Sequence, residues 1–486
     1  MKSKNLLALL SLLFTWPLFA QQVDTVSGKE IWTLRECVDY ALANNLQIRR
    51  SELDVELSSI DERQSKLAML PSANAQGSNG FNWGRGIDPV TNDFVSSQRN
   101  GYTSLGASSS VTVFNGFRIQ NTIKQSNLEL EASKEDLAKS RNDVSLNVIS
   151  LFVNVVFNKE LVENARLQLA SSQQQFERTQ KLVAAGSLPK SDELNLDAQV
   201  ATNELNLINQ ENALALSLLQ LQQALQLPAT DDFDVEIPQI DAEDLVIDQT
   251  REEIYQIAKG TMPEIASAQL RIESSRYGVK AARGQLYPRL SVNASVNTNY
   301  SSSSATVFVP DGGLTQRETR FFWRDVNNDM IPVYEFQPNG SLQEIYGFRD
   351  QVKDNLYKSV SLTLSIPLFN GFNARSNLQR AIIGNEQAKI ASREVDNALR
   401  QTVETSFNNA IAAAKSYNAA RRQVEAREEA YRIAQQRFDI GAANYLEYQV
   451  AENDLFQARS DLARGKYEFI FRKKVLDFYL GKPLGF

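Results

Sequence analysis

The chain repeats itself, and that limits its possible folds more than any single motif. The tetrapeptide FNGF stands at Phe114–Phe117 and again at Phe369–Phe372, 255 positions later. The same offset carries Val148 onto Val403, Phe152 onto Phe407, Gly186 onto Gly441, Leu225 onto Leu480 and Pro228 onto Pro483. Upstream the offset is 217, where Ala41 meets Ala258, Ile48 meets Ile265 and Pro71 meets Pro288. The change of 38 falls between Pro288 and Phe369, so the second copy carries one long insertion.

Each copy has the same plan. Thr33–Leu70 lacks Gly and Pro and is predicted as helix, Pro71–Trp83 and Leu105–Phe114 as strands, Arg118–Ala185 as one very long helix and Ser191–Leu227 as another. The second copy gives helix over Arg251–Tyr287, strands over Arg289–Tyr300 and Val360–Phe369, and helices over Asn373–Ile440 and Asn444–Leu480. At ~1.5 Å per residue the long run makes a rod of roughly 100 Å, and the two shorter helices laid end to end nearly match it. Val148, Val155, Val162, Leu169, Phe176 and Val183 recur every seven residues, as do Val403, Ala410, Tyr417, Val424, Tyr431 and Phe438. Such spacing marks helices that pack lengthwise against others. Taken alone, it also suits a soluble periplasmic coiled-coil scaffold.

The strands favour a different reading, with the scaffold kept as the alternative. Val292, Ala294, Val296 and Tyr300 alternate with Ser and Asn, and Val360, Leu362, Leu364 and Ile366 alternate with Ser and Thr. Val111 and Val113 alternate with Ser110 and Thr112. One apolar face and one uncharged polar face over ~9–11 residues fit a transmembrane barrel strand. Aromatics flank each pair, among them Phe81, Trp83, Tyr287 and Tyr300, as in an interfacial girdle. Four strands cannot close a barrel, and open edges are not tolerated in lipid, so several chains must share one. Strand totals of 8, 12 or 16 are all open on this count.

This explains the repeated corner. In Phe114-Asn115-Gly116-Phe117 and Phe369-Asn370-Gly371-Phe372, glycine supplies a backbone free to take positive φ. Each corner turns a strand into a long helix, with its phenylalanines placed at the membrane–water interface. A two-residue hairpin does not fit, because no partner strand follows.

Composition narrows the chemistry. The 486 residues contain no histidine and a single cysteine, Cys37, which excludes His-based triads, HExxH zinc sites and disulfide frameworks within one chain. An enzyme is not expected, and no cofactor or metal site is assigned. Net charge is −7, which makes nucleic acid a poor partner. Residues 1–20 read as a secretory signal peptide: Lys2 and Lys4, then the apolar run Leu6–Phe14, then Ala20 at the cleavage point. No later run reaches the ~18–20 apolar residues of a spanning helix, so none is expected. The expected division is a leader (1–20), a first repeat (21–228), an irregular linking segment (229–250) and a second repeat (251–486). The insertion Ser301–Lys358, with its RETRFFWRD stretch, is expected to be an extracellular loop.

ALANNLQI from Ala41, the proline opening each first strand, SVTVFNGF, LSIPLFNGF, SFNN at Ser406–Asn409 and FDIGAANYLEYQVAENDL at Phe438–Leu455 form an ordered set. With the duplicated plan, this set resembles the TolC-like family of outer-membrane efflux proteins over nearly everything after the leader. The resemblance implies an internally duplicated α+β membrane protein: a transmembrane β-barrel shared between subunits, four strands per chain, continued by a long α-helical barrel. It implies a homotrimer in the outer membrane that extends into the periplasm and meets a periplasmic adaptor and an inner-membrane pump. Its role would be a passive exit duct for efflux or type I secretion. The turns at Gly186-Ser187 and Gly441-Ala442 would face the adaptor, the glycines acting as helix C-terminal caps. Asp192 and Glu447, six residues beyond each glycine, would narrow the pore. A second acidic position three residues on is held here by Asn195 and Val450, against a double acidic ring.

Overall fold

The computed structural model describes residues 31–84, 86–87, 94–95, 99–228, 233–238, 248–302, 306–344 and 346–482. The expected leader and most of the expected linking segment lie outside them.

In chain order the elements of the first copy are β1 (Ile31–Trp32), α1 (Leu34–Asn44), α2 (Leu46–Leu67), β2 (Ser72–Asn82), β3 (Gly86–Ile87), β4 (Phe94–Val95), β5 (Asn100–Phe114), α3 (Arg118–Ala184), α4 (Lys190–Leu225) and β6 (Asp234–Val235). The second copy follows with α5 (Arg251–Thr261), α6 (Pro263–Gly284), β7 (Arg289–Ser301), β8 (Thr306–Arg324), β9 (Met330–Glu344), α7 (Phe348–Asp354), β10 (Tyr357–Ser365), α8 (Asn373–Asp439) and α9 (Tyr445–Tyr479). They fall into two compact units. The first takes the described parts of 1–52, 137–262 and 396–486, and the second takes those of 53–136 and 263–395.

The first helix of each copy is broken where one helix was expected. Asn45 is extended, and so is the equivalent Met262. Met262 precedes Pro263, whose ring disfavours helical backbone in the residue before it. Asn45 turns its side chain on the restart, accepting the Gln47 N–H at 2.8 Å as an N-cap does. Both copies open on a capping box, Thr33 with Glu36 and Thr250 with Glu253.

The core of the first unit joins α1, α3, α4 and α9. Val148, Val155, Phe152, Leu221, Leu225 and Ile470 are all buried. One of the heptad rows thus points inward, and its counterpart places Val403 and Ala410 at 0 % exposure. Helix α3 contains an 18-residue window with a mean hydropathy of 1.3, apolar enough by length and composition alone to cross a membrane. Half of that window is buried within the protein, as a core helix is. Trp32 and Phe233 meet edge to face in this core at 5.6 Å. Beside them β6 pairs in parallel with β1, so a segment expected to be irregular contains a strand. Cys37 is fully buried here, and burial pushes its thiol up to about 12, which keeps it unreactive.

The second unit is built on a four-stranded antiparallel sheet in the order β10-β7-β5-β2. Register sorts its faces. Val360, Leu362 and Leu364 oppose Ala294, Val292 and Leu290, while Val111 and Ala107 oppose Val292 and Val296. Ser295 and Ser359 share a hydrogen bond at 2.8 Å on the other face. Strand β5 starts five residues before the expected Leu105, since Gly101 and Thr103 carry no clear period-two signal. Strand β10 covers Tyr357–Ser365 rather than Val360–Phe369. Pro367 ends it, because proline cannot donate to the ladder. The insertion is not a plain loop: β8 and β9 form a hairpin, and α7 packs on β7. Gln351 of α7 is fully buried and binds the Ser301 backbone at both N–H and C=O, at 2.9 and 3.0 Å.

Candidate functional site

The two FNGF corners belong to the second unit. Gly116 and Gly371 take φ of 66° and 62°, as their lack of Cβ allows. The residues after them do the same: Phe117 and Phe372 stand at 61° and 60°, a strained region for an aromatic residue that the motif did not announce. Each is braced by its partner ring. Phe114 and Phe117 meet edge to face at 5.4 Å, and Phe369 and Phe372 do so at 5.8 Å. Asn115 adds a cap, its side-chain oxygen accepting the Ile119 N–H at 3.3 Å. The surroundings differ. A Cβ on Gly116 would sit 2.6 Å from the Gly284 carbonyl oxygen, whereas one on Gly371 would find only Asn373 Nδ2, at 3.9 Å.

The two helix-to-helix turns belong to the first unit. Gly186 and Gly441 both take φ of 74°. Ser187 N–H donates to Leu182 C=O at 2.9 Å, and Ala442 N–H to Arg437 C=O at 2.8 Å, closing the expected left-handed caps. No atom would crowd a Cβ at either glycine, so the φ alone asks for glycine. Gly186, Ser187, Gly441 and Ala442 are all exposed. Asp192 lies half-buried in the first turn of α4, and Glu447 lies exposed in the first turn of α9. Both suit the positive end of a helix. They are not held alike. Glu447 N–H is capped by Asn444 at 2.9 Å, and its carboxylate faces Arg437 at 3.5 Å, whereas Pro189 gives α4 no side-chain cap.

Just beyond the second turn lies a buried polar cluster that the sequence reading missed. Glu452 of α9 is only 3 % exposed. It accepts from Ser171 of α3 and, at 3.2 Å, from the Tyr448 hydroxyl. Tyr448 reaches Tyr431 of α8 at 3.0 Å and stacks on Phe438 at 5.2 Å. Burial holds the Glu452 carboxyl above its ordinary range, and its two donors only partly offset this. Around the cluster, Gln168 donates to Asn453 at 3.2 Å, and Arg178 pairs with Asp439 at 2.6 Å. These bonds tie α3 to the second helical hairpin, α8 and α9. Tyr445, Tyr448 and Glu452 share one helix face by spacing, a signal open to the sequence. The equivalents Lys190, Glu193 and Asp197 carry no ring, so comparing the copies would have shown the difference. Beside it, α3, α4 and α9 enclose a cleft of about 540 Å³ lined largely by amides, including Gln168, Gln199, Asn203 and Asn453.

Known proteins match this chain along most of its length. The family model described as "Outer membrane efflux protein" matches residues 37–226 and 254–482, one match per copy. The outer membrane protein TolC of Escherichia coli K12 is 21 % identical over 407 residues, spanning 78 % of this chain and 74 % of TolC. The alkaline protease secretion protein AprF of Pseudomonas aeruginosa is 21 % identical over 358 residues, 72 % of this chain and 63 % of AprF. The crystal structure of the outer membrane protein VceC from Vibrio cholerae superposes with a TM-score of 0.69 at 16 % identity, covering 93 % of this chain and 97 % of that one.

Proposed function

The chain belongs to the outer membrane efflux protein family, and on that premise we propose that it is the exit duct of a tripartite efflux or type I secretion system. It sits in the outer membrane, extends into the periplasm and conducts its cargo passively. One observation carries this reading: the four-stranded sheet has one apolar face, and among the described residues its edge strands β10 and β2 have no further partner strand. On β10 the apolar residues Val360, Leu362 and Leu364 are 79, 67 and 59 % exposed, next to the small polar Ser361 and Thr363. Water disfavours such a face, and a bilayer welcomes it. Lipid forbids open edges, so the sheet must be closed by further copies. Three chains give a twelve-stranded ring, the assembly the family resemblance implies.

In this reading the FNGF corners mark the inner edge of the lipid belt. The exposed turns at Gly186-Ser187 and Gly441-Ala442 meet a periplasmic adaptor, which couples the duct to an inner-membrane pump. Asp192 and Glu447 line the narrow end. Exposed Ile440, Leu446 and Leu194 at 80, 65 and 59 % give the adaptor an apolar surface around the turns.

The test is membrane insertion and conductance. Wild-type protein purified in detergent runs as a trimer and conducts ions in a planar bilayer. Leu364→Arg loses assembly, at about 2–4 kcal/mol per chain for an arginine facing lipid, while Thr363→Arg on the polar face assembles. A Leu364→Arg protein that is soluble and folded without detergent overturns the duct and restores the periplasmic scaffold.

A further inference from the structure

The sheet and the helix turns next to it carry charge of one sign. Residues 63–87, 94–128, 274–310 and 355–385 contain no Asp or Glu and thirteen Lys or Arg, in a chain whose net charge is −7. Two of those cations share a cleft at the first FNGF corner. We infer that Arg118 and Arg289 form an oxyanion site on the wall of the duct, drawing through it cargo that bears a carboxylate, sulfate or phosphate. This names a substrate class for the exit duct proposed above and rests on that reading. Close backbone packing builds the cleft. Gly116 and Gly284 lie against each other, and a Cβ on Gly284 would stand 3.0 Å from Arg118 Cβ. The start of α3 and the end of α6 thus approach closely, which sets Arg118 beside the turn into β7. Arg289 opens that strand and stands opposite Ser365 of β10. The cleft measures about 300 Å³, and Asn115, Arg118, Gln285, Tyr287, Arg289 and Ser365 are on its wall.

The site is on the polar side of the sheet. Arg289 shares the parity of Ser291, Asn293 and Ser295, and its guanidinium donates to the Thr112 hydroxyl at 3.2 Å. Thr112 itself stands opposite Ser291. With Leu290, Val292 and Leu364 turned to lipid, this face lines the pore. Both arginines are exposed, and no strand of the sheet contains an acid. The first acids along the two helices are Glu129 on α3 and Glu273 on α6, each eleven residues from Arg118 or Gly284, which is about 16 Å at the helical rise. Glu129 is moreover engaged by Arg271, at 3.7 Å. Helix stability does not account for Arg118, because it stands in the first turn of α3, where the helix end is itself positive. Duplication accounts for neither arginine: the counterparts in the other copy are Asn373 and Ser72. Each chain therefore contributes one such pair, and a ring of chains sets the pairs at one level of the pore. Guanidinium forks match oxyanions, and rings of arginine select anions in pores.

The experiment is current block in planar bilayers, with the full-length protein and inositol hexakisphosphate as the probe. The probe interrupts the wild-type current. Arg118→Gln combined with Arg289→Gln weakens that block at least about tenfold and raises the potassium-to-chloride permeability ratio. Glutamine keeps a donor for Thr112, and a conducting channel shows that the variant has assembled. The control is Arg349→Gln on α7, whose Gln351 binds the Ser301 end of β7. That end is about 40 Å along the strand from Arg289, several Debye lengths away, so the control leaves the block unchanged. A conducting wild type that the probe does not block overturns the arginine site and leaves the duct standing, as does a double variant blocked as tightly as wild type. An equal loss of block in Arg349→Gln reports net charge rather than the cleft and also overturns the site. A wild-type protein that is monomeric and carries no current overturns the duct, and the site with it.

Discussion

The first FNGF corner is enclosed and the second is bare. Gly116 lies against the last residue of α6, Gly284, and the approach is mutual: a Cβ on Gly284 would stand 2.9 Å from the Gly116 carbonyl oxygen. Gly371 has the same φ and the same flanking rings, yet nothing but Asn373 comes within reach. Identical local sequence thus makes an identical backbone, and its neighbours are set by what the rest of the chain brings. The position equivalent to Gly284 in the first copy is Leu67, at the exposed end of α2. Among the described residues, none therefore fills at the second corner the role that Gly284 fills at the first. The helix-to-helix turns differ in the opposite sense. There the second copy is the more elaborate, with a side-chain cap and a buried tyrosine–glutamate cluster where the first copy has neither.

The sharpest way to break the corner comparison is a methyl group. Gly116→Ala combines a left-handed backbone with a backbone clash and should lower the thermal stability of the detergent-solubilised protein by about 3 kcal/mol or more. Gly371→Ala carries only the backbone term, about 1–2 kcal/mol. Equal losses would show that the two corners are enclosed alike. Next in size is the buried cluster. Glu452→Ala leaves Ser171 and Tyr448 without their acceptor and should cost about 2 kcal/mol in denaturant unfolding, whereas exposed Asp197→Ala should stay within about 0.5 kcal/mol.

Glu452 also gives the second turn a dependence on pH that the first lacks. Its folded-state pKa is raised above the ordinary value of 4.5, so its contribution to stability is fully present below that value and is lost as pH rises through the raised one. Glu452→Gln keeps hydrogen-bonding capacity without the ionisation. Its stability should be flat over that window and should exceed wild type at its upper end, as read from unfolding midpoints across pH. The smallest effect belongs to the caps. Asn444→Ala should cost about 1 kcal/mol by removing the bond to Glu447 N–H, and Pro189→Ala about 0.5 kcal/mol or less, since no side-chain bond is lost.

Much of the fold was readable before any coordinates. Both long helices end within a residue of their expected limits, because runs without Pro, and with Gly384 as the one interior glycine, leave little competing local structure and left-handed glycines close them. The break at Asn45 was not foreseen: asparagine is tolerated in helices, and only its side-chain bond to Gln47 shows that it caps instead. The β8–β9 hairpin was hidden because its ladder shifts register between Pro310 and Leu314 and again between Glu318 and Phe322, which destroys a period of two. At the turns the glycines, Asp192 and Glu447 were named from sequence. The Glu452 cluster was not, since a glutamate on a polar helix reads as solvated until its neighbours are known.

What the sequence determined alone is whatever depends on neighbours along the chain: the duplication, the helix lengths, the alternation of the strands and the positive-φ corners, each fixed by local sterics and periodicity. Tertiary structure decided everything that needs residues far apart to meet. It set the order β10-β7-β5-β2, buried Glu452 against Ser171, 281 positions away, and gave Gly116 a close backbone neighbour that Gly371 lacks among the described residues. Burial and close approach are properties of the space between segments, and one strand of text contains that space only after it has folded.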